Sequence, residues 1–110
     1  MWAREILADE GLYFVTARID KTQLGRAFVG DIFVFGREDP GDSPVFHLAM
    51  HTGKADERGD PLLLHTTDLN GSHSVIWPLD KFKRYPRYEK LHAVKRLKPE
   101  LFQVHIAPFI

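Results

Sequence analysis

The amino-acid sequence predicts an α+β fold, in which one short N-terminal helix is followed by a mainly antiparallel sheet. Apolar residues occur at helical spacing near the start of the chain and again after Pro78. Most of the chain between residues 30 and 97 instead consists of β-branched and aromatic runs separated by turn-rich polar segments. Helices that are segregated from a series of strands are typical of the α+β class. Because 110 residues are the size of one small domain, we expect residues 1–110 to form a single domain.

The first predicted element is a helix over residues 2–10. Trp2, Ile6 and Leu7 fall on one face at helical spacing, and Gly11 stands where a C-cap is expected. Because this helix is amphipathic, its apolar face needs a partner surface. Residues 12–15 predict a short extended piece after it.

Five further strands are predicted, over residues 30–36, 45–51, 61–67, 74–77 and 88–97. A polar loop, residues 37–44, separates the first two of them, and a charged turn, residues 54–60, joins the second and third as a hairpin. Pro78 fits the first turn of a short helix that Pro86 ends. The apolar tail, residues 102–110, is predicted to be extended.

The charge balance argues against a nucleic-acid partner. The formal net charge is +0, whereas nucleic-acid-binding proteins usually carry a basic excess. Only Lys81–Tyr88 mixes basic and aromatic residues, and we interpret it as a solvated helix face and turn. The sequence contains no apolar run long enough for a signal peptide or a membrane span, so we predict no membrane association and leave the localisation open.

The sequence contains 0 cysteines. Disulfides, thiolate metal sites and a thiol nucleophile are therefore excluded within these residues. No cofactor and no metal are predicted.

Histidine is the natural candidate for proton-transfer chemistry near neutral pH. His47 and His65 each lie within an apolar strand of the predicted hairpin, where a polar ring is costly unless it is hydrogen-bonded. Two imidazoles on one face of a hairpin can share a hydrogen bond, with one as general base and the other fixing its tautomer. Two structural histidines are the simpler alternative. Metal binding is a third: His47 and His51 would lie roughly 13 Å apart along a strand, but His51 and His65 could chelate across the hairpin.

The other candidate residues are interpreted structurally. We expect His73, His92 and His105 to lie at the surface. Trp77 and Phe82 are predicted to belong to the core rather than to a ligand platform. The position of Asp80 near a helix N-terminus is explained by the helix dipole.

An ordered series of four segments resembles a known family: Gly30–Phe35, His47–Gly53, Leu62–Thr66 and Val75–Leu79. In this order they resemble the strands of the NlpC/P60 family, papain-like cysteine peptidases and amidases that mostly cut the peptide stems of bacterial cell walls. Ala93–Leu97 resembles the final strand of that family. The resemblance covers about residues 29 to 97.

The resemblance implies roles for individual residues. His47 takes the general-base position, His65 takes the third, orienting position, and Asp31 is a structural residue in the turn into its strand. His51 stands where the family commonly has tyrosine. The family's nucleophile is a cysteine that opens a buried helix upstream of the Gly30-Asp31 pair, and this chain has no cysteine.

We therefore expect a truncated or degenerate NlpC/P60-like domain, equivalent to the β half of the family's fold and inactive as this chain. A non-catalytic module that binds cell-wall peptide or a protein partner is the first alternative. A small β-barrel interaction domain with an accidental resemblance is the second, and it predicts that His47 and His65 point to different places. A truncated sheet would expose an apolar face, so we also predict a homodimer, which light scattering would detect.

Overall fold

A computed structural model describes residues 3–11, 14–16, 27–37, 46–67 and 73–98. The helices are α1 (Ala3–Ala8) and α2 (Leu79–Phe82), and one 3₁₀ turn spans Pro86–Tyr88. The strands are β1 (Phe14–Thr16), β2 (Ile32–Gly36), β3 (Phe46–Ala55), β4 (Pro61–Thr67), β5 (His73–Pro78) and β6 (Lys90–Leu97). The predicted elements are all present where the chain is described, and the predicted extended tail over 102–110 lies outside the described residues.

The six strands form one sheet in the order β1-β6-β2-β3-β4-β5, with every neighbouring pair antiparallel. The prediction of a mainly antiparallel α+β fold is confirmed, as is the hairpin of β3 and β4. The predicted strand 88–97 begins two residues late, at Lys90, because Pro86–Tyr88 forms the 3₁₀ turn. The last strand, β6, lies between β1 and β2 and so joins the start of the chain to the centre of the sheet.

One face of the sheet carries the core, and we call it the aromatic face. Alternate residues of β2 place Phe33 and Phe35 there, and the registers align them with Ala49, Val94 and the side of β4 that bears Leu63. The buried cluster on this face is completed by residues from β5, α2 and the 3₁₀ turn: Trp77, Leu79, Phe82 and Tyr88. The expectation that Trp77 and Phe82 are core residues is confirmed.

The opposite face is covered in part by α1. Ile6 of this helix is buried, and the Lys95 ammonium group of β6 donates to the Asp9 carbonyl oxygen just after the helix, at 2.8 Å. The amphipathic helix thus finds a partner surface within the chain. Away from α1, the registers Met50↔Leu64 and Leu64↔Ile76 set three exposed apolar side chains in one cross-strand row.

A buried ion pair ties the start of β2 to the end of β6. The Asp31 side chain is only 2% exposed, and its two oxygens accept hydrogen bonds from Arg96 Nε and Nη2 at 2.9 and 2.8 Å. The Phe28 N–H also donates to Asp31 Oδ2, across the turn in which Gly30 adopts a φ of 88°. The hydrogen bonds between Arg96 and the Asp31 carboxylate raise the pKa of the Arg96 guanidinium. Asp31 therefore stabilises the turn and the strand order.

Replacing Asp31 with asparagine should destabilise the fold by about 2–3 kcal/mol, because a bidentate, charge-assisted contact is lost and the guanidinium stays partly buried. Urea unfolding at pH 7 measures the change in the free energy of unfolding. Asp80→Asn is the matched control: its ion pair with Arg84 is solvent-exposed, and its loss should cost at most about 1 kcal/mol. Equal losses in the two variants would contradict the structural role of Asp31.

Candidate functional site

His47 on β3 and His65 on β4 meet on the aromatic face. Their ring nitrogens, His47 Nε2 and His65 Nδ1, are 2.8 Å apart, with the ring planes at 89° and the centroids separated by 5.0 Å. Continuing the register from Met50↔Leu64 by three residues sets Thr67, and not His65, opposite position 47. The two histidines are therefore diagonal neighbours, a separation that aromatic side chains can still span. The contact contradicts what the accidental β-barrel alternative expects of this pair.

The two imidazoles differ in their exposure to solvent. His65 is 4% exposed, and its ring centroid lies 4.3 Å from that of Trp77 and 4.6 Å from that of Phe82. His47 is half-buried and stacks on Tyr88, with centroids 4.5 Å apart and planes at 28°. His47 is thus the member of the pair that solvent, or a bound molecule, can reach.

The environment keeps His65 neutral at physiological pH. Burial lowers the pKa of His65 to about 4, and repulsion from His47 and Lys81 acts in the same direction. The Lys81 ammonium lies 4.6 Å from the centroid of the Trp77 ring, so a positive charge sits at the edge of the pair. A neutral His65 can either accept or donate the shared hydrogen bond.

The stretch Lys81–Tyr88 is predicted to be a solvated helix face and turn, and for Tyr88 this is wrong, whereas Phe82 was expected in the core. Tyr88 is 4% exposed and Phe82 is fully buried, and both pack against the histidine pair. The burial of Tyr88 was not predicted from the sequence, because the 3₁₀ turn Pro86–Tyr88 brings this side chain back over β3. Such a return depends on tertiary packing and has no periodic signal in the sequence.

His51 is the third histidine on the aromatic face, and its contacts are those of a structural residue. Its Nδ1 accepts a hydrogen bond from the Gly53 N–H at 2.8 Å, and its ring stacks beside Phe33. Burial lowers its pKa, partly offset by the nearby Asp31 carboxylate. Among the described residues, no group of three or more histidine, aspartate or glutamate side chains is arranged to hold a metal ion.

The remaining histidines follow the predictions only in part. His73 is exposed, as expected. His92 is half-buried, because its ring packs edge-on against Phe46 and its Nε2 lies over Gly36, where a side chain would collide with it. His105 lies outside the described residues.

Among the described residues, the side-chain hydroxyls nearest to the pair offer no evident nucleophile. Thr66 and Ser74 hydrogen-bond to each other at 3.2 Å, and strand alternation sets both on the face away from the histidines. Thr67 lies on the histidine side but is buried and engaged in an interaction of its own. Hydroxyl groups also require stronger activation than thiols. The described site is therefore a base with its orienting partner.

No family model matches the sequence, and the chain has no match among curated proteins or solved structures. Within the described part of the chain, no helix is long and apolar enough to cross a membrane.

The buried, neutral His65 makes stability depend on pH. Since its folded pKa lies below the ordinary value of 6.5, the unfolded chain binds more protons between pH 6.5 and about 4. Stability should be full above pH 6.5 and fall as the pH drops through this window, by up to about 1.4 kcal/mol per pH unit for one such group. His51 adds a change of the same sign.

Urea unfolding at pH 7.0 and 5.0 tests this dependence, with His65→Phe as the informative variant. His65→Phe should flatten the profile between these pH values, whereas the exposed His73→Gln should keep the wild-type profile. A wild-type profile that is flat between pH 7.0 and 5.0 would show that His65 is not held neutral by the fold.

Proposed function

We propose that this chain is the histidine-bearing sheet of an NlpC/P60-like cysteine hydrolase that acts on the peptide stems of bacterial cell walls. The observation that supports the proposal best is the 2.8 Å contact between His47 Nε2 and His65 Nδ1. It is the base-and-orienter arrangement that the resemblance implies for these two residues, and it arises on adjacent strands of an antiparallel sheet. The proposal further requires a thiol from residues other than these 110.

The chemistry follows from the geometry of the pair. The resemblance assigns to His47 the removal of the thiol proton, and the contact of its Nε2 with His65 holds the imidazole ring in position. The resulting thiolate attacks the peptide carbonyl, and the imidazolium returns the proton to the amine as the C–N bond breaks; water then hydrolyses the acyl thioester. His65, neutral and packed between its aromatic neighbours, stabilises the imidazolium by accepting a hydrogen bond from the Nε2–H group of His47 at its own Nδ1.

The proposal is tested on the gene product purified from the cells that encode it. We expect a mass above 12.7 kDa, a cysteine that iodoacetamide alkylates, and cleavage of a muramyl peptide that alkylation abolishes. His47→Ala should reduce kcat by roughly 10²–10⁴-fold, because the general base is removed. His73→Ala, on the exposed end of β5, is the control and should keep the wild-type rate.

Two outcomes would contradict the hydrolase proposal. One is a native product of 12.7 kDa without any thiol. The other is a cysteine-bearing product that cleaves muramyl peptide equally well with and without His47.

A non-catalytic binding module is the second candidate function. Two features favour it. The sequence contains no cysteine, and the half-buried His47 lies near the positive charge of Lys81, which sits over the Trp77 ring. Lys81 lies on the side of the pair formed by α2 and β5, where it can attract the carboxylate of a peptide. In this case the chain binds a peptide at this site but does not cleave it.

Titration of the 110-residue chain with a soluble stem peptide, followed by NMR, tests this alternative. Chemical-shift changes should centre on His47 and Tyr88, and Lys81→Ala should weaken binding several-fold, as expected for loss of one charged contact. Lys83→Ala is the matched control, since Lys83 is exposed just after α2 and should leave the affinity unchanged. Shifts that spread evenly over the surface, or equal effects of both lysines, would remove the binding hypothesis.

The homodimer stays a prediction. The apolar row of Met50, Leu64 and Ile76 is the part of the sheet that two copies would cover. This row lies on the face opposite the histidine pair, so association there would leave His47 reachable.

A further inference from the structure

Helix α2 receives no cap from the residue that precedes it. Its N-cap residue is Pro78, which has no side-chain acceptor and makes no capping hydrogen bond. The helix consists of the four residues Leu79–Phe82, and a single turn forms few hydrogen bonds to offset the cost of ordering it. The position of α2 therefore depends on contacts with other parts of the fold.

The missing cap is supplied by Asp60, in the turn between β3 and β4. Asp60 Oδ2 accepts a hydrogen bond from the Asp80 N–H at 2.6 Å, across 20 positions of the sequence. Asp80 is the second residue of α2, and the N–H group at this position is one that an N-cap side chain normally satisfies. The hairpin turn thus provides the acceptor that Pro78 lacks.

The Asp60 carboxylate is not needed to close the turn to which it belongs. Asp56 closes that turn, because its Oδ1 accepts from the N–H groups of Arg58 and Asp60, both at 2.9 Å. The Asp56 N–H also donates to the Asp60 carbonyl oxygen at 2.9 Å. Among the described residues, the Asp60 carboxylate bonds to α2 and makes no hydrogen bond within the turn. Its effect on α2 can therefore be separated from the formation of the hairpin.

The side chains of α2 differ in how firmly the core holds them. Leu79 and Phe82 are buried, so the core fixes how deeply the helix lies. Lys81 is half-buried, and its Nζ lies 4.6 Å from the centroid of the Trp77 ring. A cation–π contact is weak at a partly exposed site, so the place of the ammonium group depends on where the helix backbone puts the lysine.

We infer that Asp60 is a positioning residue, which caps α2 and thereby holds the Lys81 ammonium at the edge of the His47–His65 pair, where it attracts an anionic ligand. The attraction of a ligand carboxylate to Lys81 rests on the proposed binding function, whereas the placement of Lys81 by Asp60 does not. The Asp80 carboxylate is directed to Arg84, at 3.3 Å, and takes no part in the cap.

NMR of the 110-residue chain tests the placement of Lys81. Methylene protons held over an indole are shifted upfield by its ring current, and we expect this shift for Lys81 in the wild-type chain. Asp60→Asn keeps an acceptor oxygen and should retain the shift, because asparagine caps helices about as well as aspartate. Asp60→Ala removes the acceptor and should reduce the shift to about half or less.

Asp56→Ala is the matched control for this experiment. It removes the hydrogen bonds that close the turn but keeps the Asp60 carboxylate, so it should reduce the Lys81 shift less than Asp60→Ala does. Three results would overturn the inference: an unchanged shift in Asp60→Ala, an equal loss in Asp60→Asn, or an equal loss in Asp56→Ala.

A double-mutant cycle tests the consequence for binding, with a soluble stem peptide as the probe. Asp60→Ala should weaken binding roughly two- to threefold when Lys81 is present, and should have no effect in the Lys81→Ala chain. Equal losses in both backgrounds would show that Asp60 supports the fold in general and does not act through Lys81. If the wild-type chain does not bind the peptide, the proposed binding function fails, and the Lys81 shift still decides whether Asp60 places the lysine.

Discussion

Strand alternation on β3 and β4 is the constraint on which the candidate site depends. Because side chains on a strand alternate between faces, the register that aligns Met50 with Leu64 on one face brings His47 and His65 to the other, together with the aromatic core. A slip of one residue in this register would carry one histidine to the opposite face and separate the pair. The hydrogen bond between the imidazoles and the packing of the core are therefore consequences of a single alignment.

The core also determines what the pair can do. A histidine beside Trp77 and Phe82 cannot be charged cheaply, so His65 remains neutral at physiological pH. The same packing leaves His47 half-buried beneath Tyr88, at the border between core and solvent. Two chemically identical side chains thereby lie in different environments, His65 within the aromatic core and His47 at its edge.

The sequence was informative about local structure and about the identity of the paired histidines. β-branched and aromatic runs located the strands, and the charged turn located the hairpin, because both signals act over a few residues. The insertion of β6 between β1 and β2 was not predicted, since the ion pair that accompanies it joins Asp31 to Arg96 across 65 positions. The return of Tyr88 over His47, and the bulge beside Phe35 that realigns β6, likewise depend on contacts that no local pattern encodes.

The proposed site requires that His47 and His65 form one hydrogen-bonded unit in solution. The most direct test is a nitrogen–nitrogen scalar coupling measured by NMR across the N–H···N bond of the folded chain. We expect a coupling between His47 Nε2 and His65 Nδ1 that disappears in His65→Phe, while the dispersion of the other resonances is retained. Two separate rings without such a coupling, in a chain that is otherwise folded, would show that the histidines are independent residues of a sheet and that the proposed site does not exist.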